Sequence, residues 1–298
     1  MSRSESSTRP TLAAFPPDGV ARWLSRAPWR PCRNRGRHNV PVTFHRYVAL
    51  GDSFTEGVGD PDPSRPNGLR GWADRVAEVL AQQTDDFGYA NLAIRGRKLG
   101  PIVAEQLDAA IALEPDLITI HGGGNDVLRP RVDVDALART YDDAIARLSA
   151  TGARVVMFTV YDPGGSGIYG PVRGRMALFN EWVREIADRH DVTLVDMWRM
   201  REVEIDAAMD ADRMHLNAFG HSYIARAVLE ELGVDHGLEP VAIDPLPVLG
   251  RRDQWRANAQ WTREFLVPWV HRRLTGRSSG DTVSAKRPRL SGISSEVW

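Results

Sequence analysis

The chain has 298 residues, 42% of them apolar and 26% charged, with a formal charge of −1 and a single cysteine, Cys32. This composition supports a sizeable core and argues against wholesale disorder, and one cysteine excludes an intramolecular disulfide. No apolar run approaches the roughly 20 residues of a membrane-spanning helix, and residues 1–30 hold none of signal-peptide length, so the expected location is cytoplasmic.

Charge is divided unevenly along the chain. Residues 1–46 carry nine arginines against Glu5 and Asp18, and residues 251–298 carry ten basic against four acidic groups. The segment between them is acidic, with 33 acidic and 19 basic side chains. Basic arms on an acidic body have two readings: they hold an anionic partner, or they lie across their own domain. The second is simpler, so no nucleic-acid partner is expected, and peripheral contact with a membrane surface stays open.

In chain order, residues 1–45 read as a basic extension mixing Ser, Arg, Pro and isolated Trp without periodicity. Short apolar runs bounded by turn residues follow at 47–50, 89–94, 116–120, 154–160 and 192–195, the pattern of buried parallel strands. Helical periods lie between them: Trp72, Val76, Val79 and Leu80 form one stripe, and Ile102, Gln106, Ala109 and Leu113 another. Further helices are expected near 133–150, 175–190 and 217–232. The alternation predicts one α/β domain over 46–235, a three-layer α/β/α sandwich on a five-stranded parallel sheet with its site at the strands' carboxyl ends. Residues 162–175, rich in glycine, form a long loop after the fourth strand that reads as a pocket wall or a lid.

Beyond the domain, residues 236–275 form a C-terminal extension. In it Trp261, Phe265 and Trp269 recur every four residues, an amphipathic stripe that Pro268 should bend or break. Packing on the domain is the expected role, with a membrane-surface or partner role as the alternative. Residues 276–298 read as a disordered basic tail.

Chemistry-bearing residues gather at the predicted strand ends. Gly51-Asp52-Ser53 follows the first strand, where backbone N–H groups of the next turn converge. Asn91 and Gly96 follow the second, and a glycine there lets amides approach a ligand closely. The third ends in His121-Gly122-Gly123-Gly124-Asn125-Asp126, a sharp turn and then a carboxamide with two donors. After the fifth comes Asp212-Arg213-Met214-His215, whose spacing lets one turn aim a carboxylate and an imidazole at a single point. Taken singly, each of these is also an ordinary turn or helix cap.

Together, in this chain order, the four blocks resemble the SGNH (GDSL-type) hydrolases over about residues 47–225. The resemblance implies a flavodoxin-like sheet of order 2-1-3-4-5. It implies Ser53 as nucleophile, His215 as general base and acid, and Asp212 as the residue that orients it. The implied oxyanion donors are the Ser53 and Gly96 amides with the Asn125 side chain, and no cofactor or metal is implied. The expected activity is hydrolysis of a small-molecule carboxylic ester through an acyl-enzyme. Acyl transfer on the same site and a non-catalytic ligand- or nucleic-acid-associated module are the alternatives.

Other scaffolds fit less well. No predicted strand leads into the Gly-x-Ser-x-Gly elbow of an α/β-hydrolase, the one such pentapeptide, Gly276 to Gly280, lying in the C-terminal tail, and Gly57 and Gly59 lack the Lys-Ser/Thr ending of a phosphate loop. His121, Asp126, Asp212 and His215 lack metal-ligand spacing. His221, the nearest rival to His215 as base, falls inside a predicted helix, where a structural hydrogen bond is expected.

Overall fold

Strand β1 (Arg46–Leu50) carries four fully buried residues in a row, Tyr47 to Leu50, and every residue of β3 (Leu117–Ile120) is buried as well. Strands covered on both faces have no polar side to show, which is why they read in the sequence as unbroken apolar runs. In the computed structural model the described residues are 43–164, 169–201, 206–239, 241–242 and 249–293. The chain divides into two units, Met1–Cys32 and Arg33–Trp298. The first lies outside the described residues, as does the expected N-terminal extension up to residue 42.

With β2 (Gly88–Asn91), β4 (Arg154–Phe158) and β5 (Thr193–Val195), these strands form one sheet in the order β5-β4-β3-β1-β2-β6. The first five are parallel, with Val48 opposite both Ala90 and Ile118, and they run in the implied order 2-1-3-4-5. Helix α2 (Gly71–Ala81) packs with α8 (Ala218–Leu232), while α6 (Val134–Ser149) packs with α7 (Arg173–Arg189) and the helical run that follows β2. That run is α3 (Leu99–Ile102), a π turn (Val103–Leu107) and α4 (Asp108–Ala112). Among the described residues no helix is long and apolar enough to cross a membrane.

Two expectations need correction. The sheet is mixed and six-stranded: β6 (Arg287–Ser291) pairs antiparallel with β2 and covers what would otherwise be an open edge. The tail expected to be disordered is therefore ordered as far as Ile293. Its sequence, RPRLS, has no apolar run, and Pro288 is tolerated because an edge strand need not donate from every residue. What fixes it is a charge. Lys286 Nζ lies 3.0 Å from Asp74 Oδ1 on α2, both side chains fully buried, and donates to the carbonyls of Leu69 and Arg70 at 3.3 and 2.8 Å. Tyr89 Oη donates to the same carboxylate at 2.9 Å.

The second correction concerns Pro268. The stripe runs through α9 (Arg251–Trp261), a π turn (Thr262–Leu266) and α10 (Val267–Leu274) without a break. Pro268 falls in the first turn of α10, directly after the π turn, where a missing N–H is tolerated.

Candidate active site

At the end of β1 the chain is clamped before it turns. Gln106, placed by periodicity on an apolar stripe, is buried and grips Gly51 twice, accepting from its N–H at 2.8 Å and donating to its carbonyl at 2.9 Å. Asp52 then caps the short helix α1 (Ser53–Glu56), its Oδ1 accepting from Phe54 N at 3.2 Å. Ser53 stands at the first position of that helix.

The 212–215 segment turns tightly, with Arg213 at φ 56°. One oxygen of Asp212 accepts the backbone N–H groups of Met214 and His215, each at 2.9 Å. The other lies 2.5 Å from His215 Nδ1, and His215 Nε2 lies 2.8 Å from Ser53 Oγ. Burial alone would raise the Asp212 carboxyl, but the imidazole and the two backbone donors hold it below the usual range. An ionised carboxylate only accepts, so Nδ1 carries the proton and Nε2 is left to accept from the Ser53 hydroxyl. Trp261 Nε1 donates to the Asp212 carbonyl at 3.0 Å, so the C-terminal extension braces this turn.

Among the described residues, neither the Ser53 nor the Gly96 amide has a hydrogen-bond acceptor. Gly96, at φ 76°, occupies a turn closed by Arg97 N donating to Ile94 O at 3.3 Å. The turn is tethered by Arg95, whose N–H donates to the fully buried Glu56 at 2.8 Å and whose guanidinium pairs with the same carboxylate. The glycine run after β3 brings Asn125 back toward Ser53. Gly123 sits at φ 92°, and a Cβ there would meet the Phe179 ring at 2.3 Å, so only glycine makes this turn. Asn125 Nδ2 donates to Asp52 Oδ2 at 3.0 Å and to Arg97 O at 3.1 Å. Both amide hydrogens are thus engaged, and a substrate oxygen would have to share or replace one of these acceptors.

Sequence reasoning passed over three positioning groups: Gln106, Asp52 as the partner of Asn125, and the Glu56–Arg95 pair. Glu56, an acid one helical turn after the serine on a helix against the sheet, was the available signal.

Of the other candidates, His121 packs against Phe54 with its ring tilted by 57° and ring centroids 4.7 Å apart, and Asp126 accepts from Leu99 N at 2.9 Å. No cluster of three or more potential metal ligands occurs among the described residues. His221 is buried between Trp72 N, which donates to its Nδ1 at 3.2 Å, and the Val58 carbonyl, which accepts from Nε2 at 3.1 Å. Burial pulls its pKa from 6.5 down to about 4, so it is neutral at pH 7.

That shift carries a stability prediction. The unfolded chain binds the His221 proton more readily, so the stabilisation is complete above about pH 6.5 and is lost as pH falls toward about 4, by about 3 kcal/mol. Urea denaturation of wild type and His221→Gln at pH 7 and pH 5 measures it. The wild type should lose more stability between those pH values, and equal losses would remove His221 as the cause.

Two cavities meet at Ser53, Asn125 and His215. One, about 90 Å³, is walled by Phe54, Val58, Leu128, Val160, Met176 and Met197. The other, about 260 Å³, is walled largely by the C-terminal extension, including Trp261 and Trp269. Tyr169, at the end of the loop after β4, borders both. Whether that loop is a lid falls partly on residues 165–168, outside the described residues.

The chain is similar to known proteins in sequence and fold. The chain is 25% identical over 208 residues to an acetylxylan esterase of Geobacillus stearothermophilus, covering 64% of this chain and 94% of that protein. It is 24% identical over 190 residues to an arylesterase of Vibrio mimicus, covering 63% and 88%. The solved structure of Axe2, the acetylxylan esterase from Geobacillus stearothermophilus, shares the fold at a TM-score of 0.54 and 22% identity, over 66% of this chain and 98% of that one. Residues 49–223, more than half of the chain, match the GDSL-like Lipase/Acylhydrolase family, and all four motif blocks lie inside that span. The chain belongs to this family.

Proposed function

We propose that this ester hydrolase cleaves esters of short carboxylic acids through an acyl-enzyme on Ser53. Ser53 Oγ attacks the ester carbonyl carbon while its proton passes to His215 Nε2, and Asp212 stabilises the imidazolium that forms. The tetrahedral oxyanion is held by the Ser53 and Gly96 amides, with the Asn125 carboxamide beside them. As the carbon–oxygen bond to the alcohol breaks, Nε2 returns the proton to the leaving oxygen. Water, deprotonated in turn by His215, then attacks the acyl-serine, releasing the acid and restoring the Ser53 hydroxyl.

The observation that carries this reading is the continuous line from Asp212 through His215 to Ser53 Oγ, with contacts of 2.5 and 2.8 Å. The apolar cavity supports a short acyl group: at about 90 Å³ it is smaller than the roughly 150 Å³ cavity known to admit benzene. Relatives named acetylxylan esterase and arylesterase agree with ester chemistry.

A series of p-nitrophenyl esters from acetyl to octanoyl tests the assignment. Specificity should peak at two to four acyl carbons, with kcat/KM falling by about 10-fold or more at octanoyl, since a chain that cannot enter the apolar cavity forfeits its burial. A profile that rises with chain length contradicts the assignment of that cavity to the acyl group.

A further inference from the structure

We infer that the alcohol part of the substrate carries a phosphate group, held by Arg129, Arg272, Arg273 and Arg277 in the wall of the larger cavity. The inference rests on the ester-hydrolase reading above and adds to it the identity of what leaves. All four arginines line the same cavity as Ser53, Gly96, Asn125 and His215. Arg272 and Arg273 come from the C-terminal extension and Arg277 from the tail after it, all beyond the matched family span, while the domain body is strongly acidic. A basic arm serving only to neutralise that body would bring its arginines to carboxylates. These four do not do so: among the described residues none of them forms an ion pair. The two carboxylates in the cavity wall are otherwise engaged, Asp212 with His215, and Glu264 as acceptor from Gln260 at 3.1 Å and 3.9 Å from Arg263.

Positive charge is crowded in this wall. Arg273 is fixed in place, its guanidinium 3.7 Å from the Trp269 ring centroid and donating to Leu128 O at 3.1 Å. Burial, and then the neighbouring Arg129, pull its pKa down to about 10. An anion with several acceptor oxygens would meet the guanidinium groups that line the cavity. A carboxylate brings one charge and two oxygens. A phosphate monoester brings nearly two charges and three terminal oxygens, a closer match to several guanidinium forks. Because the acyl side is served by the apolar cavity, the phosphate belongs to the alcohol.

Arginines beside the nucleophile could instead assist the oxyanion, but that would speed neutral and charged esters alike. The test is therefore a ratio: kcat/KM for 2-acetoxyethyl phosphate over that for 2-acetoxyethanol, on the full-length protein. At low ionic strength it should be about 10²-fold in favour of the phosphate ester and shrink as salt is added. Arg129→Gln and Arg272→Gln should each lower it by about 10-fold. Because a ratio compares two substrates on the same molecules, partial unfolding of a variant does not move it.

A wild-type ratio near one, with both esters turned over, overturns the inference and leaves the hydrolase reading standing. If neither ester nor p-nitrophenyl acetate is hydrolysed, the hydrolase reading fails. Calorimetric titration with 2-hydroxyethyl phosphate then still reads the arginines, and absence of salt-sensitive binding overturns them too. Turnover of micellar 1-oleoylglycerol 3-phosphate above that of 2-acetoxyethyl phosphate would assign the phosphate to a lipid headgroup and overturn a small soluble substrate.

Discussion

Replacing Ser53 by alanine should lower kcat toward p-nitrophenyl acetate by at least about 10³-fold while leaving the denaturation midpoint nearly unchanged. The size of the effect follows from geometry. Ser53 Oγ, 2.8 Å away, is the hydroxyl that meets His215 Nε2, so alanine leaves the base with no side-chain proton to take. Ser278 and Ser279 also border the cavity, but they stand against Gly96: a Cβ there would meet their hydroxyl oxygens at 2.2 and 3.0 Å. They are not placed to replace Ser53. The small effect on stability follows from the change itself, loss of one hydroxyl at the edge of a cavity. A Ser53→Ala enzyme that keeps a tenth of the wild-type kcat would mean that another group attacks the ester.

Replacing Lys286 by methionine should destabilise the protein by about 3–5 kcal/mol, because it strands a buried carboxylate. Asp74 would keep only the Tyr89 hydroxyl as a side-chain donor, and Met cannot donate to the Leu69 and Arg70 carbonyls either. Burial already pushes the Asp74 carboxyl upward, offset in the wild type by the Lys286 ammonium. In the variant that offset is gone. A folded-state pKa above the unfolded one means stability retained at low pH and lost as pH rises through the folded value, so Lys286→Met should compare best with wild type under acidic conditions. Adding Asp74→Asn should recover much of the loss, since the amide removes the charge and still offers Tyr89 an acceptor. Urea denaturation of the single and double variants reads both effects. A loss under about 1 kcal/mol for Lys286→Met would show that the pair does not anchor β6. Removing residues 277–298 should likewise destabilise the protein, since it deletes both the lysine and the edge strand.

Much of the candidate site was legible in the sequence because its parts are local. Each chemical group sits within a few residues of a strand end, and buried strands announce themselves as apolar runs. Strand β6 was not legible for the opposite reason. RPRLS carries no periodicity, and its place is decided by a lysine that pairs with an aspartate on a helix far away in the chain. Gln106 was visible but misplaced in role: helical spacing put it on the buried face, and nothing in that spacing tells a packing residue from one that grips Gly51. Trp261 and Trp269 read as a stripe that packs on the domain, but spacing could not say that they would wall a cavity above Ser53. The arginines near them were legible as charge, whereas their convergence with Arg129, more than a hundred residues earlier, depends on the tertiary fold.

The attack by Ser53 is tested most directly by treating the full-length protein with a fluorophosphonate and mapping the adduct by peptide mass spectrometry. Activation by His215 predicts a single adduct on the peptide containing Ser53, absent from Ser53→Ala and strongly slowed in His215→Gln. An adduct on Ser278, Ser279 or any peptide that excludes Ser53, with loss of esterase activity in proportion to labelling, would contradict Ser53 as the nucleophile.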